Sequence, residues 1–191
     1  MGEGERAWLR AGRGRAGLRV RLGRFTAPPP PWETPAGARE ETWAAVRAWQ
    51  AGAEALWRAG RAGPAAWAYA QALRLAVVAG GAPPLDPARA GRKAELHAGL
   101  ALCQLRLGLP AAAAANAGKA LALRPGHLEA RYRRGLAAAA MRDLEGAAAD
   151  MAEVLRAEPG HARARRELRR VRGAARQRDA RLARRLGRLF A

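Results

Sequence analysis

The sequence predicts an all-α fold, a helical repeat array of three helix pairs plus a C-terminal capping helix, preceded by a short N-terminal strand. The tripeptide Pro-Gly-His begins at Pro125 and returns at Pro159, thirty-four residues later. Small residues recur at the same interval. A repeat at a fixed interval is typical of stacked helical units and not of a single enzyme core.

Thirty-four residues is the tetratricopeptide (TPR) period, in which two antiparallel helices pack so closely that the eighth and twentieth positions must be small. Ala101 and Ala113 occupy these positions in one copy, and Gly135 and Ala147 occupy them in the next. Proline closes each second helix, because it lacks an amide donor and disfavours helix in the residue before it. The spacing therefore predicts two consecutive TPR units.

A third, less regular copy precedes these two. Its residues at repeat positions four, eight, eleven, twenty, twenty-four and twenty-seven are Trp49, Ala53, Leu56, Ala65, Tyr69 and Ala72. A Gly/Pro-rich loop at 79–91 accounts for the wider spacing to the next copy. We predict repeats at about 42–77, 92–125 and 127–159, within a TPR region at 38–160, which is about the minimum number for a continuous core.

The segment 161–191 predicts a basic helix that caps the third repeat. Its apolar residues fall at roughly helical spacing among arginines: Leu168, Val171, Ala175, Leu182, Leu186 and Phe190. Gly173 weakens a helix by roughly 1 kcal/mol relative to alanine, which predicts a bend there. The arginines between 163 and 188 are interpreted as a solvated outer face.

The N-terminal part differs from the rest. We expect the Arg-rich residues 1–16 to be disordered. Leucine and valine then alternate with arginine in "GLRVRLGRF", which predicts a strand. A stiff Pro-rich linker, "APPPPWETP", follows it, so residues 17–37 form a strand plus linker.

The formal charge of +19 would ordinarily indicate nucleic acid. However, Lys93 and Lys119 are the only lysines, and the chain lacks serine and isoleucine, a skew typical of a GC-rich gene. An Arg-rich nucleic-acid-binding repeat protein is therefore the alternative reading. The single cysteine excludes an intrachain disulfide, and no signal peptide or membrane span is evident. The expected location is the cytoplasm, with the nucleus as a second option.

The residues that enzymes use are poorly represented. Without serine there is no serine nucleophile, and Cys103 lies in a packing helix, where an inert buried thiol is expected. His127 and His161 each follow Pro-Gly at equivalent positions, so roles at helix starts explain them better than metal coordination. His97 is not near either in sequence. We expect no catalytic residue, metal, cofactor or small-molecule substrate.

Four segments, taken in order, are similar to one family: "LGRFTAPPPPWE", "ELHAGLALCQLRLG", "GHLEARYRRG" and "RLARRLGRLF". They resemble the FKBP-type immunophilins with a C-terminal TPR domain, most closely the divergent FKBP-like branch, over residues 17 to 190. Only sixteen residues precede Gly17, too few for the isomerase strands and pocket. The resemblance then implies a vestigial strand, or an incomplete gene model, and no prolyl isomerase activity.

The resemblance also implies a co-chaperone adaptor that binds the acidic C-terminus of a heat-shock protein 90 class chaperone through a carboxylate clamp. The clamp-equivalent positions here are Gln50, Glu54, Gly99, Glu129 and Arg133. Only Arg133 keeps the clamp chemistry, and Glu54 and Glu129 would repel a carboxylate. Weak or altered peptide recognition is expected. Arg133 and the neighbouring Arg134 could equally belong to a Glu-paired helix face.

The C-terminal tail is similar to the basic-aromatic motif that follows the third repeat in this family. The resemblance implies a second contact with the chaperone through Arg181, Arg185, Leu186, Leu189 and Phe190. Leu186 replaces the usual tyrosine and Leu189 the usual methionine. A basic amphipathic helix could also bind calmodulin or another acidic partner, or simply pack on the last repeat.

Overall fold

A computed structural model describes residues 6–10, 17–21, 36–80 and 85–188. The chain divides into two compact units, Met1–Glu33 and Thr34–Ala191. Each unit is described by itself below.

The first unit contains an antiparallel pair of strands, β1 (Arg6–Arg10) and β2 (Gly17–Arg21), with Ala7 opposite Val20. The strand expected in the alternating segment is therefore present at its start. The expectation of disorder throughout 1–16 is wrong for Arg6–Arg10. An isolated strand has no hydrogen-bond partner, and β1 supplies one to β2. The Pro-rich linker lies outside the described residues.

The described part of the second unit contains seven α-helices. They are α1 (Ala36–Arg58), α2 (Ala62–Val78), α3 (Pro87–Arg106), α4 (Pro110–Leu123), α5 (Leu128–Ala140), α6 (Leu144–Ala157) and α7 (Ala162–Gly187). Each helix packs against the next one in the chain. The first helices of successive pairs also touch, α3 against α5 and α5 against α7. This pattern is an array of stacked helix pairs followed by one further helix.

The small residues predicted at the pair contacts are buried in every repeat: Ala53 with Ala65, Ala101 with Ala113, and Gly135 with Ala147. Gly135 shows how close the approach is. A Cβ atom there would lie 2.9 Å from Cε of Met151 and 3.1 Å from Cβ of Asp150. A side chain at Gly135 would require Met151 and Asp150 to move, and all the contact positions are buried and small, so the prediction of small residues there is confirmed.

The repeat boundaries have the predicted chemistry. Arg124 and Glu158, which precede Pro125 and Pro159, adopt φ/ψ of −143°/91° and −134°/84°. A residue before proline is driven out of the helical region by contact with the proline ring, which ends α4 and α6 here. The proline then leads into the turn that starts the next helix.

Histidine begins α5 and α7, as predicted from the repeated Pro-Gly-His. Nδ1 of His127 accepts the backbone N–H of Ala130 at 3.4 Å, and Nδ1 of His161 accepts that of Ala164 at 3.1 Å. Each ring thus satisfies one of the amide groups that a helix start leaves without a partner.

The first half of α7 caps the third repeat, since Ala164, Leu168 and Val171 pack on the α5–α6 pair. The packing predicted for Leu182 and Leu186 is wrong, because these side chains are 54% and 45% exposed. At 26 residues, α7 is far longer than the 14-residue α6 beside it, so its second half extends past the helix it packs on. The helix is continuous through Gly173, where a bend remains a prediction.

The turn within each helix pair contains one residue in the left-handed conformation. Gly60 (φ 75°), Gly108 (φ 71°) and Arg142 (φ 67°) occupy the same position of the three repeats. A side chain is disfavoured in this conformation by about 1 kcal/mol or more, because its Cβ approaches the backbone carbonyl oxygen. The third repeat therefore tolerates strain that glycine removes from the other two.

Replacing Arg142 with glycine should relieve this strain and raise the free energy of unfolding by about 0.5 to 1 kcal/mol, as measured by urea denaturation. Arg142→Ala is the control, because it removes the same charge without freeing the backbone and should give no such gain. The converse change, Gly108→Ala, should destabilise by about 1 kcal/mol. A stability gain shared equally by both Arg142 variants would contradict the backbone explanation.

Candidate functional site

The clamp-equivalent residues lie on α1, α3 and α5, the first helices of the three repeats. Four of these five residues make polar contacts with other side chains on the same helices or on α7. Gln50 on α1 donates to Oε1 of Glu54 at 3.0 Å and accepts from Nη1 of Arg92 on α3 at 3.3 Å. Glu129 on α5 accepts from Nη2 of Arg163 on α7 at 3.5 Å. We call the surface formed by Gln50, Glu54, Gly99, Glu129 and Arg133 the clamp-equivalent face.

Gly99 leaves space on this face for a side chain of another helix. A Cβ atom on Gly99 would lie 2.5 Å from Cζ, 2.6 Å from Cε1 and 2.9 Å from Oη of Tyr69. These distances are far below van der Waals contact, and the aromatic ring is rigid. Tyr69, which projects from α2, therefore takes the volume beside α3 that a side chain at position 99 would need.

The pKa of the Tyr69 phenol depends on charged residues of the clamp-equivalent face. Burial raises the pKa of its phenol to about 12, and the negative charge of Glu54 raises the pKa further, whereas the positive charge of Arg133 opposes the rise. Residues from α1 and α5 thus influence one hydroxyl that projects from α2. The phenol stays protonated at neutral pH and can act as a hydrogen-bond donor.

Arg133 is largely buried and only partly satisfied. Its Nη2 donates to Oε2 of Glu129 at 3.1 Å, and its side chain is 16% exposed. Its Nε is buried and has no hydrogen-bond partner within the described part of the chain. A buried donor without a partner costs free energy, and because this nitrogen is shielded from solvent an acceptor could satisfy it only if the side chain moved.

The paired-face alternative applies to the two arginines differently. Arg134 donates through Nε and Nη2 to both carboxylate oxygens of the buried Asp150, at 2.8 and 2.7 Å, a bidentate pair that holds α5 to α6. It is a structural residue. Arg133 differs from Arg134, because it pairs with Glu129 through Nη2 and its buried Nε has no partner within the described residues.

A second polar cluster joins consecutive repeats. His127 is buried, and because its Nδ1 accepts a backbone N–H, its Nε2 carries the proton and donates to Oε2 of Glu95 at 3.2 Å. Arg124 forms an ion pair with the other oxygen of Glu95, with its Nη1 2.9 Å from Oε1. Burial lowers the pKa of His127, and the charge of Arg124 lowers it too, whereas Glu95 acts in the opposite sense.

Other sequence predictions have simpler outcomes. Burial raises the pKa of the Cys103 thiol to about 11, as expected for an inert cysteine. Arg181, Arg185 and Leu186 lie on the exposed end of α7, whereas Leu189 and Phe190 fall outside the described residues. Within the described ranges, no cluster of three or more His, Cys, Asp or Glu side chains is suited to a metal ion. No described helix is long and apolar enough to cross a membrane.

No protein-family model matches the chain, and no curated protein sequence matches it. Solved structures do. The C-terminal TPR domain of a Plasmodium falciparum protein named as FK506-binding matches with a TM-score of 0.70 and 15% identity, over 78% of this chain and 99% of that one.

Two further structures have chaperone partners in their names. The first TPR of Spaghetti (RPAP3), bound to the HSP90 peptide SRMEEVD, matches with a TM-score of 0.57 and 25% identity, over 68% of this chain and 94% of that one. The Hsp90 co-chaperone Cns1 from Saccharomyces cerevisiae matches with a TM-score of 0.64 and 19% identity, over 78% of this chain and 45% of that one. The second unit therefore has the TPR fold, as the repeat spacing predicts.

Adding a methyl group at Gly99 tests whether Tyr69 excludes a side chain there. Gly99→Ala should destabilise the protein by about 2 kcal/mol, because the added carbon overlaps the ring. In a Tyr69→Leu background the same change should cost less than about 1 kcal/mol, since leucine does not extend to that volume. Denaturant unfolding of the four proteins completes a double-mutant cycle. Additive effects would show that the two residues do not compete for space.

The lowered pKa of His127 predicts acid sensitivity. The folded state favours the neutral ring, so its contribution to stability is complete above the ordinary pKa of about 6.5 and is lost as the pH falls below that value. His127→Asn keeps a capping oxygen that does not titrate and should lose less melting temperature between pH 7.5 and 5.5 than the wild type. His127→Ala should lose about 1 kcal/mol at both pH values. If His127→Asn lost as much melting temperature as the wild type between pH 7.5 and 5.5, His127 would not be the source of the acid sensitivity.

Proposed function

We propose that this protein is a non-enzymatic TPR adaptor of the co-chaperone type that binds an acidic C-terminal segment of a partner, with an HSP90-class chaperone as the candidate. The observation that carries the proposal is Arg133, a largely buried guanidinium that pairs with Glu129 on the clamp-equivalent face. A guanidinium in such a place suits a carboxylate.

The matched structures support this proposal through their own ligands. The Spaghetti TPR domain was solved with an HSP90 peptide that ends in Glu-Glu-Val-Asp, and Cns1 is named as an Hsp90 co-chaperone. Both have the fold of the second unit. An acidic peptide is also favoured over a basic one by the +19 charge of the chain.

The geometry predicts that recognition differs from that of a complete clamp. Tyr69 fills the place of one clamp side chain, and Glu54 and Glu129 add two carboxylates to the face. Glu129 also holds Arg133 in an ion pair that a ligand would have to break. What remains to receive a carboxylate is the Arg133 guanidinium and the protonated phenol of Tyr69, so we expect weak binding.

The relation to TPR-containing immunophilins, including the FKBP-like branch, is part of this proposal. Its support is the set of four sequence segments and the fold shared with the Plasmodium domain. The expectation of no prolyl isomerase activity belongs to the same reading, as does a cytoplasmic location. A second contact through Arg181, Arg185 and the residues that follow them would extend the binding surface beyond the repeats.

Nucleic-acid binding through α7 is the second candidate. Every side chain from Arg176 to Arg188 is exposed, and six of these residues are arginines against one acidic residue, Asp179. Such a helix attracts phosphates. It ranks second because α7 contains no aromatic side chain on which a base could stack.

Isothermal titration calorimetry with the peptide SRMEEVD tests the proposal. We expect weak binding that Arg133→Ala reduces by about tenfold, because a carboxylate then loses its charged partner. The variant Glu54→Asn/Glu129→Lys removes both repelling carboxylates and releases Arg133, and should bind about tenfold more tightly than the wild type.

The matched controls isolate the terminal carboxylate and the position of the charge. The same peptide with an amidated C-terminus should bind less well to the wild type. Arg131→Ala removes an equal charge from a neighbouring residue that donates to the backbone oxygen of Pro125, and should have little effect. Equal binding by wild type and Arg133→Ala, with no gain in the double variant, would overturn the proposal.

A further inference from the structure

A groove lies where the end of α2 meets α3 and α4. It is lined by Val77, Lys93, His97, Lys119, Ala122 and Leu123. We call it the two-lysine groove. None of these residues belongs to the clamp-equivalent face. His97 and Gly99 are two positions apart on α3, which separates their directions by roughly 200° around the helix.

The charge of the groove is positive and concentrated. Lys93 and Lys119 are the only lysines of the chain, and they are 26 positions apart in sequence, yet they line the same groove. No carboxylate is among its described lining residues. Residues 81–84, which follow α2 in the sequence and lie outside the described part, are Gly-Ala-Pro-Pro and carry no charged side chain. The two ammonium groups are therefore available to an external anion.

The polar wall of the groove is held rigidly. His97 is only 9% exposed, and its Nδ1 lies 2.9 Å from Oδ1 of Asn116. The amide nitrogen of Asn116 donates to Oε1 of Gln104 at 3.0 Å and to the backbone oxygen of Ala112 at 3.2 Å. This orientation makes Nδ1 of His97 the protonated nitrogen. Burial lowers the pKa of His97, and the charges of Lys119 and Lys93 lower it further, so the ring is neutral at pH 7.

The rest of the lining is apolar. Val77 is 61% exposed at the end of α2, and the side chains of Ala122 and Leu123 continue the apolar surface on α4. A cavity that combines an apolar wall with a few convergent polar groups is suited to a ligand that combines an apolar body with a charge.

We propose that the two-lysine groove binds a short segment of a partner protein in which a leucine-sized apolar side chain stands next to aspartate or glutamate. The apolar side chain packs on Val77 and Leu123, and the carboxylate lies between Lys93 and Lys119. A second copy of this chain is disfavoured as the occupant by repulsion between two molecules of charge +19. A nucleic acid would leave the apolar wall without a partner.

This surface is independent of the peptide face of the proposed adaptor. The groove uses α2, α3 and α4, whereas Arg133 and Glu129 lie on α5. One partner can therefore occupy the clamp-equivalent face while another binds the groove. If the binding experiment fails at one of the two sites, the proposal for the other site is unaffected.

The test uses the full chain and the peptide acetyl-Glu-Leu-Glu-Leu-Glu-amide, whose blocked ends exclude recognition through a terminal carboxylate. In titrations followed by amide NMR shifts of the ¹⁵N-labelled protein, we expect the largest changes at Lys119, Ala122 and Leu123. Lys93→Gln/Lys119→Gln should weaken binding by about tenfold, and Lys93→Arg/Lys119→Arg should keep it within about threefold, because charge is retained.

Two controls separate the groove from the overall positive charge. Arg169→Gln/Arg172→Gln removes the same net charge from exposed positions of α7 and should leave the peptide affinity unchanged. Replacing both leucines of the peptide with serine should weaken binding to the wild type by about tenfold, because the apolar contact is lost. The proposal is overturned if the α7 variant loses as much affinity as the lysine variant, or if the NMR changes cluster on α7.

Discussion

The close approach of the two helices in each pair is the constraint on which the rest of this structure depends. Alanine or glycine at the contact positions lets α5 lie directly on α6, where even one added carbon at Gly135 would meet Met151. Because every pair packs in the same way, the first helices of the pairs come to lie beside one another. That arrangement creates the clamp-equivalent face, which no single helix pair could form.

Core packing then determines the chemistry of that face. Tyr69 belongs to the core of the first repeat, yet its ring removes the space in which a side chain at position 99 would stand. Arg133 pairs with Glu129 through Nη2, whereas its Nε is enclosed without a partner in the described residues. A position-by-position comparison of the sequence misses the contact of Tyr69 with Gly99, because the two residues are thirty positions apart and lie on different helices.

The basic charge of the chain has different meanings at different places. In the repeats, Arg134 forms a bidentate ion pair with Asp150 and thereby holds α5 and α6 together. Along the second half of α7 the arginines are exposed to solvent. The two lysines differ from both groups, since they flank an apolar groove beside a neutral histidine. Net charge alone therefore does not indicate the partner, whereas the surroundings of each cation do.

The sequence by itself determined the repeat period, the small contact positions, the proline ends of α4 and α6 and the histidine helix starts, because these follow from rules that act within one helix or one turn. It did not predict β1, the exposure of Leu182 and Leu186, the ring of Tyr69 against Gly99, or the meeting of Lys93 with Lys119. Each of these depends on which side chains from distant parts of the chain become neighbours. Only the tertiary structure decides that, because stacking sets where each helix ends relative to the next and which volumes are already filled.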